Sequence, residues 1–264
     1  MSAPPATAAD LHRVGSQPLA QDRRSQRAAE GCGVVLLLLA PYIAVDAAIT
    51  LATGPGDDVQ VTDIDTAGQW DQAYDAGDTT RSWFQEHARQ SLRMLDAAGA
   101  TEQDSVVDVG GGASTFVDDL LDRGHHDLTV LDISAAGLDT ARNRLGHAAI
   151  GVTWVVADLL RWQPPRSYRV WHDRAVFHFL TADEQRQQYR QVLSAATAPG
   201  SVAVFGTFAP DGPQRCSGLP VARYSGIELA AELGDPWRLT FEAREQHRTP
   251  GGGIQPFTWA VFRR

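Results

Sequence analysis

Ser105-Val106-Val107-Asp108-Val109-Gly110-Gly111-Gly112-Ala113-Ser114-Thr115 is the stretch whose reading decides the fold. It reads as a short buried strand that ends in a carboxylate and a glycine-rich turn, with a helix following from Thr115 to about Arg123. Strand, turn and helix in that order form the phosphate- or nucleoside-approach element of doubly wound α/β folds. Gly110 and Gly112 carry no Cβ, so the chain can turn tightly there and a ligand can come close. The acid two places before Gly110 separates two kinds of ligand. A dinucleotide turn reads G-x-G-x-x-G and sets a pyrophosphate on the helix N-terminus. A carboxylate sits poorly beside a pyrophosphate and suits an amine-bearing or cationic ligand.

Two further strands repeat the pattern. Leu128–Asp132 is apolar and ends in an acid 20 residues beyond Gly112, where such a carboxylate can accept bonds from ribose hydroxyls. Asp132 could instead cap the helix Ala135–Leu145, although Ser134 is also able to do so. Val152–Asp158 is a third strand ending in an acid. Asp108, Asp132 and Asp158 would then lie along one sheet edge, where open α/β sheets bind their ligands.

Asp108-x-Gly110-x-Gly112-x-Ser114 resembles motif I of the class I S-adenosylmethionine-dependent methyltransferases, D/E-x-G-x-G-x-G, with serine at the third glycine. The resemblance covers about residues 68–264. It implies a doubly wound, seven-stranded, mostly parallel sheet with a closing antiparallel hairpin and helices on both faces, hence an α/β domain over 65–264. It implies S-adenosylmethionine as cofactor. Asp108, Gly110 and Gly112 would serve its methionine end and Asp132 its ribose, with Ser114 and Ile133 as further cofactor contacts. Asp158 would bond the adenine amine, with the Leu159 N–H on a ring nitrogen. Asp173 and Arg174, after the fourth strand, would touch the methionine end or else pair with each other at the rim. Trp83 and Phe84 would form an aromatic lid or simply pack on the core.

The second half of the chain continues the alternation. Tyr168–Leu180 reads as the fourth strand and its exit loop, Asp183–Ala198 as a polar-faced helix, and Ser201–Phe208 as a central strand. A long loop with many turn formers spans Ala209–Pro220. Gly226–Leu233 is a helix, and Trp237–Glu245 and Ile254–Phe262 are the hairpin strands. His172, His178 and His247 are candidate bases, with a packing role as the alternative for each. Methyl transfer is an in-line displacement, and alignment alone can supply about 7–11 kcal/mol of such a barrier, so a dedicated base is optional. Cys216, Arg223 and Tyr224 are candidate acceptor contacts or plain surface residues. Cys216, His178 and His247 show no short metal-ligand spacing, and no metal is expected.

The 264-residue chain carries a net charge of -9 and 23 basic residues, all of them arginine. An acidic chain without a basic stripe argues against a nucleic-acid partner. Lysine chemistry is excluded, and two cysteines imply no disulfide framework. Residues 1–60 read as a disordered or apolar extension. Within it, Gly33–Leu51 is 19 residues with one acid, Asp46, and one proline, Pro41. Three readings of that run stand open: a dispensable or mis-assigned extension, a membrane anchor, and a packed helix. The expected product is a cytoplasmic methyltransferase for a small-molecule acceptor. The alternatives are a protein side-chain methyltransferase, a non-catalytic cofactor-binding regulator and, more distantly, a nicotinamide oxidoreductase.

Overall fold

The structure, a computed structural model, describes residues 66–75 and 79–264. The extension 1–60, with its apolar run 33–51, lies outside the described residues. Among the described residues no helix is long and apolar enough to cross a membrane.

Five strands run parallel: β1 (Val106–Val109), β2 (Leu128–Asp132), β3 (Val152–Val156), β4 (Tyr168–Arg174) and β5 (Thr197–Phe208). A small separate hairpin follows, β6 (Arg215–Cys216) with β7 (Leu219–Pro220). Then β8 (Arg238–Arg248) and β9 (Ile254–Arg263) close the main sheet antiparallel. Its order is β3-β2-β1-β4-β5-β9-β8. The order reverses between β1 and β4, and a doubly wound sheet opens its ligand crevice at such a point.

The helices are α1 (Thr66–Asp75), α2 (Arg89–Ala98), α3 (Phe116–Asp122), α4 (Ala135–Leu145), α5 (Asp183–Ala195) and α6 (Gly226–Leu233). They cover both faces, and the strands alternate to match. Val106, Val130, Val170, Val202, Val204 and Trp259 pack with α2, α3 and α4 on one face. Val107, Leu131, Trp171, Ala203, Phe205 and Phe262 pack with α5 and α6 on the other. The same alternation puts Asp108, His172 and Arg174 on the first face and Asp173 on the second, since neighbours along a strand point oppositely.

Several boundaries differ from expectation. The helix read as Asp183–Ala198 stops at Ala195, and the fifth strand begins at Thr197 rather than Ser201. Thr197 Oγ1 donates to the Leu193 carbonyl at 2.6 Å while Tyr168 N donates to the Ala196 carbonyl at 2.7 Å, so the chain turns directly into the sheet. The third strand stops at Val156, and Asp158 instead caps the short 3-10 turn Leu159–Arg161.

Candidate active site

At the carboxyl end of β1 the chain turns under the Leu131 carbonyl, which accepts from Gly110 N at 2.7 Å and Gly111 N at 3.1 Å. Gly110 (φ +66) and Gly112 (φ +44) both lie in the left-handed region. A Cβ on Gly110 would come 2.0 Å from Val176 Cγ2, and one on Gly112 would come 2.1 Å from the Tyr74 hydroxyl. Only glycine fits either position. Asp108 is buried beneath this turn. Its Oδ1 is hydrogen-bonded to His172 Nδ1 at 2.7 Å, and its Oδ2 is buried without a partner. The His172 ring lies 4.1 Å from the ring of Phe116.

Of the next two acids, Asp132 ends β2 and Asp158 lies two residues past the end of β3. Asp132 Oδ1 accepts from Ser134 N at 2.8 Å. Ser134, not Asp132, caps α4, since its hydroxyl accepts from Gly137 N at 3.0 Å. Burial, helped by Asp108, raises the Asp132 carboxyl to about 7. Asp158 is half-buried and accepts from Leu160 N at 2.9 Å.

A strap made of α1 and residues 81–85 forms the opposite wall. Trp70 lies edge-on to Trp83 and to Phe179, at 6.1 and 5.3 Å. The strap is tied down at several points. Ser82 O meets His247 Nε2 at 2.7 Å, Trp83 O accepts from Arg174 Nη1 at 3.0 Å, and Gln85 O accepts from Thr115 Oγ1 at 2.9 Å. Burial, and then Asp132, push the Tyr74 hydroxyl up, so it stays protonated.

The walls enclose a cleft of about 570 Å³. Of the residues read from the sequence, Asp108, Gly110, Ser114, Asp132, Ile133, Asp158, Leu159, His172, Arg174, Trp83, Phe84 and Cys216 line it. Gly112 lies just beneath, under Tyr74. Others do not arrive there. Asp173 points to the far face, fully buried, where it accepts from the Tyr189 hydroxyl at 2.6 Å and from Val176 N at 3.1 Å. It therefore does not pair with Arg174, and its carboxylate does not line the cleft; burial raises its carboxyl to about 6. Tyr224 packs on the far face against Phe177, and Arg223 is exposed. His178 is sealed between Phe179 and Phe208, and burial, aided by Arg174, pushes its imidazole down to about 3. His247 is spent on the strap, and burial also lowers its imidazole. Cys216, His178 and His247 are not brought together, and no metal-holding group of three such residues occurs among the described residues.

The sequence reading missed Trp70, Tyr74, Gln85, Phe179, Leu219 and Pro220 as lining residues. Trp70 and Tyr74, four apart on α1, share one helix face, and that spacing is a usable signal. The β6–β7 hairpin carries none, because two-residue strands have no periodicity to read.

These features fit S-adenosylmethionine. The turn leaves no room for a Cβ, the buried Asp108 Oδ2 lacks a donor, and two further carboxylates, at the end of β2 and just past β3, line the cleft. Aromatic and aliphatic walls suit the nucleoside and thioether. When bound, the cofactor supplies an electrophilic methyl group on a sulfonium.

A family model described as a methyltransferase domain matches residues 106–200. The EEF1A lysine methyltransferase 2 of Danio rerio is 30% identical over 165 residues, which span 56% of this chain and 71% of that protein. A structure described for the conversion of a disulfide bond into a thioacetal group during echinomycin biosynthesis superposes with a TM-score of 0.61. It is 20% identical and covers 75% of this chain and 92% of its own. The N-methyltransferase NodS of Bradyrhizobium japonicum, bound to S-adenosylhomocysteine, has a TM-score of 0.55 at 19% identity. There the coverage is 67% of this chain and 84% of that one. At these identities the structures speak to the fold, and the matched relative and family model speak to descent. The chain belongs to the class I S-adenosylmethionine-dependent methyltransferases, and it is an S-adenosylmethionine-dependent enzyme.

Proposed function

We propose that the methyl acceptor is a small molecule. The observation that carries this reading is the β6–β7 hairpin, whose Cys216, Leu219 and Pro220 line the cleft opposite the glycine turn. That hairpin occupies part of the cleft wall that a protein chain would need open. The methyl group passes in line: the sulfur–carbon bond breaks as the acceptor's lone pair forms the new bond, and S-adenosylhomocysteine leaves. Gly110, Gly112 and Asp108 hold the methionine end, with Ser114 at the mouth of the turn. Asp132 and Ile133 hold the ribose, and Asp158 and the Leu159 N–H the adenine. Trp83 and Phe84 close the acceptor side.

Of the three candidate histidines only His172 lines the cleft; its Nδ1 is on Asp108 and its Nε2 is buried and unpartnered, while the other two lie outside. In-line displacement from a sulfonium needs no dedicated base, so rate comes from alignment and exclusion of solvent, and the acceptor's proton leaves to water.

A second reading, methylation of a protein lysine, is favoured by the Danio rerio relative. Incubation with tritiated S-adenosylmethionine separates them. The enzyme is offered a cell extract split at 3 kDa and, separately, purified elongation factor 1A. Label in the small fraction supports the proposal. Label confined to the large fraction or to the elongation factor replaces it.

A further inference from the structure

Arg174 leaves the end of β4 with unfinished bonding. Nη1 donates to the Trp83 carbonyl at 3.0 Å, while Nε and Nη2 are buried without a partner among the described residues. The side chain lies deep beneath the strap and keeps part of its surface on the cleft. No carboxylate of the described residues forms an ion pair with it. Glu245, the nearest acid by its electrostatic effect, accepts instead from Gln85 Nε2 at 3.2 Å and Trp259 Nε1 at 2.7 Å.

The direction of reach is informative. Arg174 Cζ stands 5.3 Å from the ring of Phe257, on β9. From β4, β9 lies beyond β5, on the side away from β1, β2 and β3. The guanidinium thus turns away from Asp132 and Asp158 and toward the side walled by Cys216 and the hairpin. The sequence reading gave it the methionine end of the cofactor or a rim pair with Asp173; its reach points to the acceptor.

A buried guanidinium with an idle edge is unfavourable until an anion takes it. Its planar fork matches the two oxygens of a carboxylate. One cation balances one negative charge, and Glu245 and Asp108 nearby oppose a second. We propose, on the small-molecule reading above, that Arg174 anchors a carboxylate of the acceptor, so that the substrate class is small apolar carboxylic acids. The carboxylate is the handle, and the methylated atom lies elsewhere on the molecule.

The test uses the full chain saturated with S-adenosylhomocysteine and two probe pairs, benzoate against benzamide and phenylacetate against phenylacetamide. Calorimetric titration is expected to show each acid binding at least tenfold tighter than its amide. Arg174→Gln should erase that preference, Arg174→Lys should retain part of it, and both should bind S-adenosylhomocysteine within about threefold of wild type. A merely structural clamp on the strap would not move the acid-to-amide ratio. The proposal is overturned if the acid binds no tighter than the amide, or if the preference survives in Arg174→Gln. It is also overturned if Arg174→Gln loses tenfold or more for S-adenosylhomocysteine but nothing for methylthioadenosine, which lacks the carboxylate. Failure of the small-molecule reading itself shows separately, as label confined to the large fraction of the split extract.

Discussion

Asp132→Asn should make the protein more stable and the enzyme worse, with a pH signature that identifies the cause. Asp132 is 7% exposed and its carboxyl is raised from 3.8 to about 7, chiefly by burial. An acid raised in the fold binds its proton more tightly there than in the unfolded chain. Between the two values the native state holds more protons, so stability falls as pH rises, and the loss is complete above about pH 7. A shift of about 3 units corresponds to about 4 kcal/mol at pH 8.5. The same expression gives about 3 kcal/mol at pH 6, a pH chosen because the sequence pI is 5.3. The asparagine cannot ionise and retains an oxygen for Ser134 N. Its stability advantage over wild type should therefore grow by about 1.4 kcal/mol between pH 6 and pH 8.5. Urea unfolding at both pH values, without cofactor, measures this. S-adenosylhomocysteine binding should fall in the same variant, because an amide offers one acceptor oxygen where the carboxylate offers two. An advantage that is constant with pH, or that shrinks, would refute the assignment of a destabilising buried carboxylate at the end of β2.

Three other substitutions probe separate parts of the site. Gly112→Ala sets a Cβ 2.1 Å from the Tyr74 hydroxyl at a φ of +44, and should cost about 1–3 kcal/mol in urea unfolding and weaken S-adenosylhomocysteine binding. Asp108→Asn keeps the shape beneath the turn but removes the negative charge, and one of the two acceptor oxygens, that would meet a charged amine; a loss of about tenfold or more in calorimetric affinity is expected. Tyr189→Phe strips the hydroxyl that bonds both Asp173 and Trp171, at 2.6 and 2.8 Å. It should destabilise by about 1–3 kcal/mol yet leave cofactor affinity unchanged, since Asp173 is on the far face. A cofactor defect there would return Asp173 to the cleft.

What could be read from the sequence follows from short-range physics. β1, its glycine turn and the acids at the ends of successive strands are local patterns. Apolar runs of strand length, a left-handed turn open only to glycine, and a carboxylate at a strand end each have a signature within about ten residues. They marked the individual strands and carried the family resemblance, and it was the resemblance that implied the seven-stranded sheet with its closing β8–β9 hairpin, as the structure has it. Helices α4 and α6 lie where Ala135–Leu145 and Gly226–Leu233 were expected, because serine caps and glycine stops flank both.

Tertiary structure decided what depends on which face a side chain takes and which distant segment meets it. Asp173 and Arg174 are adjacent in sequence, yet the pleat sends one to Tyr189 and the other to Trp83. His172, His178 and His247 are alike as residue types. All three are buried, and only their packed partners separate the one bonded to Asp108 at the cleft from the one sealed in aromatics and the one holding the strap. The partners of Asp108, Arg174 and His247 lie 64, 91 and 165 residues away in the chain. Separations of that size leave no periodicity for a sequence pattern to carry, so only the packed sheet could bring them together.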